Sequence, residues 1–201
     1  MNEFNRWQSR FASPDYVFGT EPNQFLVRCQ SLLPKSGKAL ALADGEGRNG
    51  VWLAQQGLDV LSIDFSPLAQ AKALSLAAHR GVAITCEQVD LSTYPWPQQC
   101  YDVIADIFTQ FTPPNQRAAK WDGARRALKP GGLLIMQGYS VKQLDYGTGG
   151  PRDPAHLYTR AMVEAAFATW NDVHIYEEDI EIREGSGHSG MSALIGLTAR
   201  P

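Results

Sequence analysis

Residues 39–50, Ala-Leu-Ala-Leu-Ala-Asp-Gly-Glu-Gly-Arg-Asn-Gly, run from an apolar strand pattern through a glycine turn straight into the helical Val51-Trp52-Leu53-Ala54. A strand that turns this sharply into a helix leaves free backbone N–H groups and a positive helix end where a ligand with anionic or acceptor groups can be held. Gly45, Gly47 and Gly50 satisfy the G-x-G-x-x-G spacing. That spacing allows a tight turn, close approach of backbone to ligand and close helix packing. By itself it is also compatible with a plain strand-to-helix turn, so the next carboxylate matters more. Val60-Leu61-Ser62-Ile63 reads as a second buried strand ending in Asp64, about twenty residues after the glycines, where an acid reaches ribose hydroxyls. One fixed carboxylate can accept from both hydroxyls at once. A helix N-cap is the other use for Asp64, but Ser66, followed by Pro67, fills that role better.

With 201 residues and 44% hydrophobic content, the chain suits one domain, residues 1–201, with a full core and no linker or repeat. A net charge of −3 lacks the basic field that nucleic-acid partners need, so a small-molecule substrate is expected. No apolar run approaches a membrane span, and Met1-Asn2-Glu3-Phe4-Asn5-Arg6 has no signal-peptide core. A cytoplasmic location is therefore expected. Cys29, Cys86 and Cys100 fit neither a disulfide framework nor a zinc pattern, and no metal is expected.

Periodicity predicts strand 38–43, helix 48–56, strand 59–63, helix 67–80, strand 82–88, strand 101–105, helix 115–128 and strand 132–138. Leu128-Lys129-Pro130-Gly131-Gly132 reads as the turn between the last two. Such alternation implies a parallel sheet covered by helices on both faces. Beyond residue 155 a helix near 158–168 is followed by β-like runs 172–184 and 191–199, joined by a glycine loop, which must pair antiparallel. The expected fold class is α/β: a Rossmann-like doubly wound sheet, mostly parallel, with an antiparallel C-terminal hairpin strand.

This arrangement resembles the class I S-adenosylmethionine-dependent methyltransferases. The residues carrying the resemblance are Leu42-Ala43-Asp44-Gly45-Glu46-Gly47-Arg48-Asn49, Ile63-Asp64-Phe65-Ser66 and Gln88-Val89-Asp90-Leu91. Within that superfamily the chain is similar to the small tellurite-resistance and thiopurine-methyltransferase-like proteins, through Tyr16-Val17-Phe18-Gly19-Thr20-Glu21-Pro22-Asn23, Tyr146–Pro151, Glu184–Gly190 and Ala199-Arg200-Pro201. The resemblance implies S-adenosylmethionine as cofactor. Asp44, Gly45 and Gly47 would cradle its methionine half, Asp64 its ribose, and Phe65, Asp90 and Leu91 its adenine. The backbone at Asp106 and the ring of Phe108 would lie near the methyl group. Arg48 would face the cofactor carboxylate or an anionic substrate, with Asn49 beside it. Phe65, Leu91 and Phe108 equally fit core packing, Asp90 a turn, and Arg48 and Asn49 an ordinary helix start. The chain departs from the family pattern at Ala41, where an acid is usual, and at Ala43 and Asp44, which replace a glycine and a cysteine. Asp44 then either takes over the contact to the cofactor's amino group or leaves the cofactor weakly held.

The activity implied is methyl transfer to a small molecule, a thiol or a metalloid oxyanion, by in-line displacement. Alignment and desolvation suffice for such a step, so no obligatory catalytic residue is expected. No Asp/Asn-Pro-Pro-Tyr sequence occurs, which argues against amide or base nitrogen as the acceptor. Residues 1–30 are expected to cover cofactor and substrate. The acceptor pocket is sought among Trp7, Phe11, Tyr16 and Phe18 in that segment and Tyr139, Tyr146, Arg152 and His188 elsewhere, with Tyr146 and His188 as the groups able to accept a proton. Glycine-bracketed loops 147–151 and 185–190 are expected to move over ligand. Two rivals stand. One is an NAD-dependent oxidoreductase, for which Tyr139 and Lys142 are spaced three apart instead of the four of a Tyr-x-x-x-Lys dyad. The other is a non-catalytic S-adenosylmethionine-binding protein, motivated by Ala41 and Ala43.

Overall fold

A computed structural model describes residues 3–201. Seven strands, β1 (Gly37–Leu42), β2 (Leu58–Asp64), β3 (Thr85–Gln88), β4 (Tyr101–Ile107), β5 (Leu128–Tyr139), β6 (Asn171–Glu184) and β7 (His188–Arg200), form one sheet of order β3-β2-β1-β4-β5-β7-β6. Strands β1 to β5 pair in parallel, while β7 is antiparallel to both β5 and β6. Only β7 is therefore reversed, as the short link between the last two strands requires.

Helices α2 (Gln24–Arg28), α3 (Arg48–Gln55), α4 (Pro67–His79), α5 (Pro114–Ala127) and α7 (Arg160–Ala166) surround the sheet, with α1 (Glu3–Phe11) and the single turn α6 (Gln143–Tyr146) outside it. Alternation along β1 divides the core. Leu40 and Leu42 pack with Ile104, Leu134, Trp121 of α5 and Val163 of α7. Ala39 packs instead with Val103, Ile135, Leu53 of α3 and Leu26 of α2. Side chains two apart share a face, so one apolar strand supplies both layers. Ser66 caps α4 by accepting from Ala69 N, with Pro67 in the first turn, as its position next to proline predicts.

Four local expectations are corrected. Residues 128–132 are not a turn: β5 starts at Leu128 opposite Tyr101 and its register jumps to Leu133 opposite Val103, so Lys129-Pro130-Gly131-Gly132 bulges out of a continuing strand. The helix expected at 158–168 is confined to Arg160–Ala166, because Thr159 caps it by accepting from Met162 N and Tyr158 bridges Ser140. Strand β3 is limited to Thr85–Gln88. The final hairpin link shrinks to 185–187, since Ser189 and Gly190 pair with Arg183 and Ile182. Among the described residues no helix is long and apolar enough to cross a membrane.

The switch between strand orders lies between β1 and β4, and ligands of open α/β sheets bind at the carboxyl ends of strands there. Gly47, at φ +87°, starts α3 against α4; a Cβ on it would sit 2.5 Å from Ala73 Cβ and 2.7 Å from Ala73 Cα. Gly47→Ala should lower stability by about 2–4 kcal/mol, combining overpacking with a left-handed backbone. Urea unfolding would measure it, and adding Ala73→Gly should recover only the part due to the clash.

Candidate functional site

At the ends of β1, β2 and β4 lies a cleft of about 430 Å³, lined on one side by Asp44, Gly45, Arg48, Asn49, Asp64, Phe65, Asp90 and Leu91. Asp64 closes β2, and its two carboxylate oxygens accept from Gly45 N (2.9 Å) and Ser66 N (2.8 Å). A carboxylate has about four acceptor positions, so Asp64 keeps capacity toward the cleft. Burial pushes its carboxyl up to about 6 against the pull of those backbone bonds. Asp44 accepts from Ser62 Oγ (2.9 Å) and from Gly50 N (3.1 Å to Oδ2), and burial raises it to about 7.

The far end of the cleft is flatter and less polar. Ile63, Phe65, Val89 and Leu91 line it, and Phe4 of α1 meets Phe65 edge-on at 5.7 Å. Asp90 caps the short turn Leu91–Thr93, its Oδ1 accepting from Ser92 N (2.9 Å) and Ser92 Oγ (2.7 Å). Asp90 thus both caps this turn and lines the cleft.

Arg48 opens α3 and is buried. Its Nη2 donates to Glu184 Oε2 (2.8 Å), whereas its Nη1 has no hydrogen-bond partner. Glu184 Oε2 also lies 3.5 Å from His188 Nδ1, and Glu184 Oε1 accepts from Asn23 Nδ2 (3.1 Å). Burial alone would raise the Glu184 carboxyl, but His188 and Arg48 beside it hold it at about 2. His188 is pushed below its ordinary value, chiefly by burial. Asn49 accepts from Asn23 N (2.9 Å), and Asn23 Nδ2 also donates to Gln137 Oε1 (2.8 Å).

His188 stands between Phe18 (centroids 4.5 Å) and Phe108 (4.4 Å), with Tyr139 edge-on at 5.7 Å. Phe108 holds φ +56° directly after β4, a sparsely populated conformation of the kind that clusters at functional sites. Beyond this group lies a second cleft of about 540 Å³ that includes Arg6, Arg10, Phe111, Tyr139, Arg152 and His156. Phe18, Phe108 and His188 line both clefts, as do Trp7 and Phe111.

The expected residues divide accordingly. Asp44, Gly45, Arg48, Asn49, Asp64, Phe65, Asp90, Leu91 and Phe108 line the first cleft. Tyr139 and Arg152 line the second, and Phe18 and His188 both. Gly47 serves helix packing instead. Asp106 points away: it is buried, pairs with Lys120 Nζ (2.9 Å) and accepts from Trp121 Nε1 (3.2 Å). Tyr16 donates to Lys72 O (3.1 Å), and Tyr146 to Asp179 Oδ2 (3.1 Å), both outside the clefts. The 185–187 tip is fastened, Gly187 N donating to Val17 O (2.8 Å), so the motion expected there is opposed by its contacts. Sequence reasoning missed Glu184, Asn23, Arg10, Phe4 and Phe111. Asn23 and Glu184 stood within quoted motifs, but nothing local announces their pairing.

A family model described as a methyltransferase domain matches residues 39–132, which carry β1 to β4, both carboxylates and the Phe108 turn. That stretch is similar to a methyltransferase domain. Solved structures of similar fold include that reported for conversion of a disulfide bond into a thioacetal group during echinomycin biosynthesis, at 17% identity and TM-score 0.77, covering 99% of this chain and 92% of that one. TehB from Haemophilus influenzae is similar at 15% identity and TM-score 0.70, covering 98% and 66%. A TehB-like SAM-dependent methyltransferase from Corynebacterium glutamicum is similar at 18% identity and TM-score 0.60, covering 98% and 94%. No curated protein sequence matches the chain.

Several solved structures of similar fold are described as S-adenosylmethionine-dependent methyltransferases, and the match over residues 39–132 is to a methyltransferase domain, against the oxidoreductase alternative. Lys142 moreover pairs with Asp179 rather than Tyr139. Two results are expected of these buried charges. Asp44 and Asp64 have folded-state values above the ordinary carboxylate value, so between about pH 4 and 7 these two groups bind more protons in the folded protein than in the unfolded chain. Their contribution to stability should therefore fall as pH rises through that window, against the opposite contribution of the lowered His188, so Asp44→Asn and Asp64→Asn should gain on the parent protein as pH rises, as thermal melts across pH would record. Glu184→Ala strips Arg48 of its buried partner and should cost about 3–5 kcal/mol in urea unfolding, much of it regained in Arg48→Met/Glu184→Leu.

Proposed function

We propose that this chain transfers the methyl group of S-adenosylmethionine to a small nucleophile, a thiol or a metalloid oxyanion, seated in the second cleft. One observation carries the reading: a cleft bearing carboxylates and a cleft bearing guanidinium groups meet at the wall of Phe18, Phe108 and His188. The donor set of the first cleft fits the cofactor. Arg48 Nη1, buried without a partner, suits a carboxylate, and Asp44 suits an ammonium group. Asp64 suits ribose hydroxyls, with Phe65, Leu91 and Asp90 for the adenine. When bound, S-adenosylmethionine supplies a methyl group already activated by a positive sulfur.

The aromatic faces of Phe18 and Phe108 favour positive charge between the clefts. The covering helix α1 contributes Phe4, Trp7 and Phe11 to the first cleft and Arg6, Trp7 and Arg10 to the second. Residues 3–30 thereby shield the reacting centre from water and bring nucleophile and methyl into line. His188, neutral near pH 7 because burial lowers its value, can take a proton from a thiol. With a proton on Nδ1, facing Glu184, its Nε2 is the accepting atom.

Titration calorimetry with S-adenosylhomocysteine tests the first cleft. Asp64→Ala should weaken binding by about 1.5–3 kcal/mol, the scale of hydrogen bonds to a charged group, with circular dichroism confirming the fold. Turnover of thiols, selenite and tellurite tests the second cleft. Tight cofactor binding without transfer to any of them would favour a cofactor-binding sensor.

A further inference from the structure

The second cleft differs from the first in charge as well as position. The first carries Glu3, Asp44, Asp64 and Asp90 against Arg48 alone, which Glu184 pairs. The second is bordered by Arg6, Arg10 and Arg152, against Glu3 and Asp153. Glu3 is taken up by Arg6 (2.5 Å), and Asp153 Oδ1 accepts from Ala155 N (2.9 Å). Among the described residues neither Arg10 nor Arg152 has a carboxylate within ion-pair distance. Arg10 is nonetheless positioned: its guanidinium lies 5.1 Å from the Trp7 ring centroid and 5.0 Å from that of Phe18. Gly187 makes room for it, since a Cβ there would come within 2.4 Å of Phe18 and 2.9 Å of Arg10 Nη2.

Five aromatic rings line it as well, Trp7, Phe18, Phe108, Phe111 and Tyr139, beside Gln110, Pro151, His156 and His188. The electron-rich faces of such rings repel an anion and welcome an apolar body. A volume of about 540 Å³ lies in the range of drug-sized ligands, and a bare oxyanion of a few atoms would leave most of it unfilled. Resting on the methyl-transfer reading, we propose that the acceptor is an organic anion. It has a flat apolar body on the rings at the shared wall and a carboxylate or similar group between Arg10 and Arg152. Its nucleophilic atom then sits at the body's end nearest His188, and metalloid oxyanions are poor occupants.

Binding to the full chain saturated with S-adenosylhomocysteine tests this without turnover, using calorimetry with 2-naphthoate, its neutral counterpart 2-naphthylmethanol, and tellurite. The naphthoate should bind at least about tenfold more tightly than the alcohol, a margin of about 1.4 kcal/mol. The Arg10→Gln/Arg152→Gln variant should erase that margin while leaving S-adenosylhomocysteine affinity unchanged. Equal affinity for acid and alcohol, a margin untouched by the double substitution, or tellurite binding better than naphthoate would each overturn the proposal. If the margin is present but no thiol is ever methylated, the methyl-transfer reading alone fails.

Discussion

The buried pair of Arg48 and Glu184 holds both clefts in one geometry. These side chains are only 7% and 6% exposed and meet at 2.8 Å. Either one alone would be an uncompensated charge in a dry interior, which costs far more than the pair contributes. The pair therefore dictates that the start of α3 and the end of β6, 136 residues apart, lie together. Asn23 extends the constraint to the N-terminal segment, donating from Nδ2 to Glu184 and Gln137 and accepting on Oδ1 from Leu26 N. The hairpin tip then approaches that segment so closely that a Cβ on Gly185 would fall 2.5 Å from Gly19 N and Val17 O. His188 and Phe18 owe their contact to this docking.

Strain sits where the docking converges. Ala43 and Phe108, directly after β1 and β4, have φ of +43° and +56°, and such conformations cost of order 1–3 kcal/mol each. They flank the switch point of the sheet. Phe108 is held by its N–H donating to Gln137 O (2.7 Å) and by ring contact with Tyr139 at 4.8 Å. The outcome is a ring that stands across the boundary between the clefts while packing against the core. Its two readings, core residue and cleft residue, are reconciled by a backbone that a relaxed strand end would not adopt.

What was legible in the sequence is what depends on near neighbours. Alternation of apolar residues in β1, β2 and β4, the proline-assisted cap at Ser66, and the carboxylate ending β2 are all local patterns. The reversed strand followed from the short link between β6 and β7. Helix α1 was not legible, because a nine-residue, largely polar segment is marginal alone and is held by Trp7 and Phe11 packing at the cleft. Pairings across the chain leave no periodicity, so Glu184 and Asn23 passed as parts of motifs without roles. The carboxylate of Asp106 is drawn inward by partners on α5, Lys120 and Trp121, which leaves only its backbone for the role expected of it. Tyr146 likewise is drawn outward, to Asp179.

The departures from the family pattern in the first loop are connected by geometry. Ala41, where an acid is usual, is buried in β1 opposite Ser62, and that serine donates instead to Asp44. The carboxylate of Asp44 lies over the start of α3 at a place that only glycine leaves open, since a Cβ on Gly50 would come within 2.4 Å of Asp44 Oδ2. The third glycine of the motif thus makes room for an acid absent from the usual pattern. The positive end of α3 stabilises that charge, while burial opposes it, leaving the group poised to ionise when a cation comes near. In this chain the negative charge of the first loop therefore sits on Asp44, three residues after Ala41, at the lip of the cleft.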